Sequence, residues 1–174
     1  MVWAFLGVGA VVAMLAIAGR TPPSGGRSGD APGFTLASTA GGQVSLAEHQ
    51  GRDVLMYFNE GVGCDACFYQ MVELEQNADQ LAEAGLTVLP IVANTADQTR
   101  VELSRFGIST PYLIDTGTEV SQAYGMLGQG MHANLPGHGF VLVDGSGQIR
   151  WKMEYPSMYV STEDLLSDVR PFLP

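Results

Sequence analysis

Along the middle of the chain, short apolar runs alternate with segments whose apolar residues recur every three or four positions. Asp53 to Phe58 (DVLMYF) and Leu86 to Val92 (LTVLPIV) read as strands buried on both faces. Between them, from Asp65 onward, Cys67, Phe68, Met71, Leu74, Ala78 and Leu81 fall at helical spacing until Gly85 ends the pattern. Asn94 and Thr95 are placed to cap a second helix over Ala96 to Phe106. Further on, Pro111 opens a short strand (PYLID) and Val120 to Tyr124 gives a brief helix. Phe140 to Asp144, the turn GSG and Gln148 to Met153 then read as a hairpin. Ser161 begins the last helix as an S-x-x-D cap ahead of Leu165, Leu166, Val169 and Phe172. Upstream, FTLASTAGGQVSLAEH reads as a small hairpin. Strands alternating with helices predict an α/β domain, a central mixed sheet with helices on both faces.

The amino-terminal end has a different pattern. Residues 2–19 carry no charge, and as a helix they would extend about 27 Å, close to the hydrocarbon thickness of a bilayer. Residues 1–19 are therefore expected to be a transmembrane anchor or a signal segment. Ala16-Ile17-Ala18 before Gly19 has the form of a cleavage site, while no basic residue precedes the apolar run. Residues 20–30 (RTPPSGGRSGD) are rich in Pro, Gly and Ser and read as a flexible linker, leaving residues 31–174 as the folded domain.

Charge narrows the partners. Eight basic residues stand against 18 acidic ones, for a net charge of -10, and no basic stripe is visible. Nucleic acid is excluded as a partner on that ground. Eight of the carboxylates, from Asp53 to Asp97, lie between Arg52 and Arg100 with no basic residue among them. Read from sequence, they surround the chemistry described next and oppose an ionised thiol.

The only two cysteines, Cys64 and Cys67, are spaced C-x-x-C where a strand passes through a glycine-rich turn into a helix. Backbone N–H groups and the helix dipole at that position stabilise a thiolate, so Cys64 is expected to be the nucleophile. Cys67, on the apolar side, is expected to resolve a mixed disulfide. The pair would then serve as a redox-active disulfide with no further cofactor. A static bridge across so short a loop would add little stability. A zinc site would need two more ligands from His49, His132 and His138.

The stretch APGFTLASTAGGQVSLAEHQGRDVLMYFNEGVGCDAC resembles the opening of redoxin domains, which include peroxiredoxin-like proteins and membrane-tethered thiol-disulfide oxidoreductases. The likeness continues through FGISTPYLIDTGTEVSQAYGM and GFVLVDGSGQIRW. It implies a thioredoxin-like fold and an extracytoplasmic thiol-disulfide oxidoreductase, with protein thiols, protein disulfides or a membrane electron donor as partners. Peroxiredoxins carry a threonine three residues before the reactive cysteine and an arginine shortly before the later strand. Here those places hold Gly61 and LPGHG, so antioxidant thiol peroxidase activity stands as an alternative. The resemblance also implies a cis-proline facing the cysteines, for which Pro136 is the candidate, and His138 in the same loop is a candidate to stabilise a thiolate or pass a proton. A Sco-like copper chaperone is a third reading, with Cys64, Cys67 and His138 as ligands.

Overall fold

The computed structural model describes residues 29–128 and 134–174. The expected anchor and most of the linker, together with His132, lie outside the described residues. Among the described residues no helix is long and apolar enough to cross a membrane.

Among the described residues, eight strands form one mixed sheet: β1 (Gly29–Asp30), β2 (Thr35–Ser38), β3 (Gln43–Ser45), β4 (Asp53–Phe58), β5 (Leu86–Val92), β6 (Leu113–Ile114), β7 (Gly139–Val143) and β8 (Gln148–Glu154). Their spatial order is β1-β8-β7-β4-β5-β6-β2-β3. β4 pairs in parallel with β5 and antiparallel with β7, so it lies at the centre of the sheet. Alternation along it divides the core. Leu55 and Tyr57 face one side, where they meet Phe140 and Leu142 of β7. Val54, Met56 and Phe58 face the other, with Val141 and Val143.

Helices cover both faces, but unequally. α1 (Asp65–Gln76), α2 (Ala78–Glu83), α3 (Ala96–Phe106) and α5 (Thr162–Val169) all send side chains to the Leu55/Tyr57 face. The opposite face is closed by Phe34, Leu46 of a 3-10 turn, and the segment from the short α4 (Glu119–Ala123) to Tyr124 and Met126. The sequence pattern does not distinguish these cases, because a strand buried on both sides looks the same whichever element covers it.

Two boundaries differ from the sequence reading. Gly29 and Asp30, assigned above to the linker, pair with Ile149 and Gln148, and the Ala31 N–H donates to the Gly147 carbonyl at 2.8 Å. The helix expected to run unbroken to Gly85 is interrupted at Asn77. There the Asn77 side-chain amide donates to the Glu73 carbonyl at 2.8 Å, in competition with the backbone ladder.

α3 starts as expected. Thr95 Oγ1 accepts from Gln98 N–H while Gln98 Oε1 accepts from Thr95 N–H, a reciprocal capping box. Thr95→Ala is expected to lower stability by about 1 kcal/mol, read as a lower urea midpoint with an unchanged slope.

Candidate active site

β4 ends at Phe58, and residues 59–63 carry the chain into α1. Two asparagines hold this loop: Asn59 Oδ1 accepts from Gly61 N–H at 3.0 Å and Asn94 Oδ1 from Val62 N–H at 2.9 Å. Gly61 has φ +73°, and a Cβ there would lie 2.0 Å from Asn94 Oδ1. Glycine is thus required both for the backbone conformation and for the close approach of Asn94. The Cys64 N–H then donates to the Gly61 carbonyl at 3.0 Å, which fixes the start of the helix to the loop.

Cys64 is the N-cap of α1 and is joined to Cys67 by a disulfide, with the two Cα atoms 5.4 Å apart. The Cys67 N–H points at Cys64 Sγ, 3.2 Å away. A backbone donor therefore already faces the sulfur that would carry charge once the disulfide is reduced. Cys64 is half-buried, whereas Cys67 is 0% exposed. An incoming group can reach the first sulfur and not the second.

Behind the pair stands Tyr57, fully buried in β4, whose hydroxyl donates to the Cys67 carbonyl at 3.0 Å. Burial, reinforced by Tyr112, pushes its phenol well above the ordinary tyrosine value, so it remains a neutral donor. In front stands Arg105 at the end of α3. Its Nη2 pairs with the Asp65 carboxylate, its Nε donates to Glu102 Oε2 at 2.7 Å, and its guanidinium lies 4.3 Å from the Phe106 ring centre.

The acidic surround inferred from the sequence contracts to a few groups. Glu73 is nine residues up α1 from Cys64, about 14 Å away at 1.5 Å per residue, and Asp79 and Glu83 lie farther along in α2. Asp53 sits at the opposite end of β4, accepting from Gly145 N–H at 2.9 Å. Asp97 pairs with Arg100. Glu75 accepts four hydrogen bonds from Ser109 and Thr110; burial opposes its charge, but those bonds hold its carboxyl below the usual range. Of the eight carboxylates only Glu60 and Asp65 adjoin the cysteine turn in sequence, and Asp65 is the one paired with Arg105.

His138 is 3% exposed and edge-on to three rings: Tyr57 (5.3 Å between centroids), Phe140 (5.7 Å) and Tyr155 (6.1 Å). Neither ring nitrogen has a hydrogen-bond partner among the described residues, and burial lowers its pKa to about 4. It is therefore neutral at pH 7 and does not hydrogen-bond to either cysteine. The proposed contact between His138 and the thiolate gives way to one with Tyr57.

Pro136 is corrected as well, since every peptide bond among the described residues is trans. Pro136 is buried in an isolated bridge with Leu127, and Gly137 N–H donates to the Met126 carbonyl at 3.0 Å. This pairing ties the loop to the segment after α4. As for the copper reading, Cys64 and Cys67 are joined in a disulfide here, and among the described residues no group of three or more His, Cys, Asp or Glu side chains is placed to hold a metal ion.

Tyr57, Asn59, Asn94 and Arg105 are the site residues that sequence reasoning missed. Tyr57 alone left a signal: a tyrosine inside a strand buried on both faces must find a partner for its hydroxyl. Nothing in the spacing of Arg105 links it to Asp65, 40 residues earlier.

The chain is similar to several known redox proteins. Peroxiredoxin Bcp of Escherichia coli K12 is 33% identical over 108 residues, 59% of this chain and 67% of that protein. Thiol-disulfide oxidoreductase ResA of Halalkalibacterium halodurans is 31% identical over 102 residues, 58% of this chain and 57% of that protein. The match to two Mycobacterium tuberculosis relatives spans 63% of their length. The crystal structure of Peroxidoxin BcpB from Mycobacterium tuberculosis shares the fold, with a TM-score of 0.70 at 16% identity over 83% of this chain and 96% of that one. The AhpC/TSA family model matches residues 28–152, the span that holds the cysteine turn, the central strands and most of the hairpin, and the chain belongs to that family.

Proposed function

We propose that this protein is a thiol-disulfide oxidoreductase that exchanges disulfides through Cys64 and Cys67. The observation that carries this reading is the disulfide at the start of α1, with Cys64 reachable and Cys67 fully buried. In the reducing direction, the Cys64 thiolate attacks one sulfur of a partner disulfide and the other partner sulfur leaves as a thiolate. Cys67, deprotonated, then attacks Cys64 Sγ, the partner's second thiolate departs, and the Cys64–Cys67 disulfide remains. Two electrons have passed to the partner. The reverse sequence oxidises a partner dithiol. Tyr57 holds the Cys67 carbonyl, keeping the resolving residue in place behind the nucleophile.

A second reading, thiol peroxidase, is favoured by the relatives named as peroxiredoxins. There the Cys64 thiolate would take one oxygen from a hydroperoxide, leaving an alcohol and a sulfenic acid. The Cys67 thiol would then condense with it to the same disulfide and water. Gly61 and the LPGHG segment stand where the resemblance places an activating hydroxyl and guanidinium, which supports exchange as the main reading. Residues 1–19 would tether the domain outside the cytoplasm, within reach of protein thiols or a membrane electron donor.

Cys67→Ser in the full chain tests the proposal. Cys64 is then expected to retain a partner protein as a covalent adduct that dithiothreitol releases and that Cys64→Ser abolishes. Rapid hydroperoxide turnover by the wild type, with no adduct trapped, would give the assignment to the peroxidase.

A further inference from the structure

We propose that the Asp65–Arg105 pair sets the acidity of Cys64 and, through it, the reduction potential of the dithiol, with Arg105 as the positioning residue. The inference rests on the exchange reading above. Asp65 directly follows Cys64, and consecutive Cα atoms are about 3.8 Å apart, so its carboxylate lies within the screening distance of the Cys64 sulfur. Left uncompensated, it would oppose the thiolate that the helix N-terminus favours. Arg105 supplies the compensation from another helix. The guanidinium is fixed on three sides, by Asp65, by Glu102 and by the Phe106 ring. Phe106 in turn stacks on Phe68 of α1 at 5.2 Å, with the ring planes 12° apart. Both members of the pair are at least half exposed, and ion pairs of that kind add little to stability. The geometry therefore points to an effect on the neighbouring sulfur.

Among the described residues, the charged and titratable groups around Cys64 are few. Asp65 comes from α1, Glu60 from the preceding loop, and Arg105 with Glu102 from α3. Tyr57 and His138, both neutral, lie on the sheet side. Reduction of the disulfide takes two electrons and, with Cys64 ionised, one proton. Whatever stabilises the Cys64 thiolate favours the dithiol and makes the couple more oxidising. Arg105 acts in that sense and Asp65 in the opposite one.

With Cys67→Ser as background, Cys64 is the only thiol in the full chain, and the pH profile of its alkylation by iodoacetamide reports its pKa. Arg105→Gln is expected to raise that pKa by about half a unit and Asp65→Asn to lower it by a similar amount. The double variant should return to the parent value, and Arg105→Lys should stay near it. All of these shifts should shrink in 1 M salt. With both cysteines present, equilibration against glutathione should show Arg105→Gln favouring the disulfide and Asp65→Asn the dithiol. Shifts in the same direction, or none, in variants of unchanged thermal midpoint would overturn the proposal. Correct shifts without any trapped partner would leave it standing and remove the exchange reading instead.

Discussion

Gly61→Ala is expected to cost about 3 kcal/mol of stability and to reduce exchange activity by more than the loss of folded protein explains. Two terms make up the cost. An alanine at φ +73° is in the left-handed region, disfavoured by roughly 1–2 kcal/mol for a residue with a Cβ. The new methyl would also stand 2.0 Å from Asn94 Oδ1, so the Asn94 side chain must swing away. That movement breaks its hydrogen bond from Val62 N–H and leaves a half-buried donor without a partner, a loss of roughly 1–3 kcal/mol. The effect on activity has a separate origin. Gly61 offers the carbonyl that receives the Cys64 N–H, so a displaced loop moves the nucleophile relative to Cys67. Urea unfolding measures the first effect and the rate of disulfide exchange per folded molecule the second. Asn94→Ala separates the terms, because it removes the hydrogen bond and the clash together. Adding Gly61→Ala to Asn94→Ala should then cost the backbone term and the smaller adjustment to Val92 Cγ1, 3.2 Å from the new methyl. An equal cost of Gly61→Ala in both backgrounds would show that Asn94 is not the obstacle.

The parts of this site that are legible in the sequence are those encoded locally. DVLMYF can be read as a buried central strand because every residue in it is apolar or aromatic after Asp53, and burial on both faces demands that composition. The cysteine turn is legible because two cysteines and two flanking glycines sit at a strand-to-helix junction. What supports the turn is encoded elsewhere. Asn94 reaches Val62 from 32 residues away, and Arg105 reaches Asp65 from 40. Sequence proximity also misleads about charge. The carboxylates between Arg52 and Arg100 have no basic residue among them in the chain, but a helix rising 1.5 Å per residue carries Glu73 and Glu75 away from Cys64. Counting charges along a window is sound for a compact loop and fails once the window contains a helix of 12 residues. His138 shows a third limit. Its position before β7 is readable, but its direction is decided by β-sheet register, which brings Phe140 opposite Tyr57 and so places the imidazole beside that tyrosine.

That placement makes His138 a source of acid sensitivity. Its folded pKa is lowered by burial to about 4, against 6.5 for the free side chain. Between those values the unfolded chain carries a proton on this residue that the folded chain does not. Stability therefore rises with pH through the window, and the contribution is fully present above about pH 6.5 and lost by about pH 4. The difference in pKa corresponds to about 3 kcal/mol. Other groups titrate nearby. His49, lowered by burial and by Arg52, acts in the same direction. Glu154, raised by burial, acts in the opposite one. Glu75, held low by its hydrogen bonds, loses its contribution only as pH falls below about 4.5. The comparison that isolates His138 is thus a variant against the wild type at each pH. His138→Phe replaces the imidazole with a ring that has no buried nitrogens to ionise or to leave without partners, in a site already lined by Tyr57, Phe140 and Tyr155. The stability difference between variant and wild type, from urea unfolding, should move by about 3 kcal/mol in favour of the variant between pH 7 and pH 4, with most of the change above pH 4.5. Any packing strain from the larger ring shifts both ends of that comparison equally and leaves the slope intact. A difference that is constant with pH would mean that the imidazole is protonated in the folded protein as readily as in the unfolded chain.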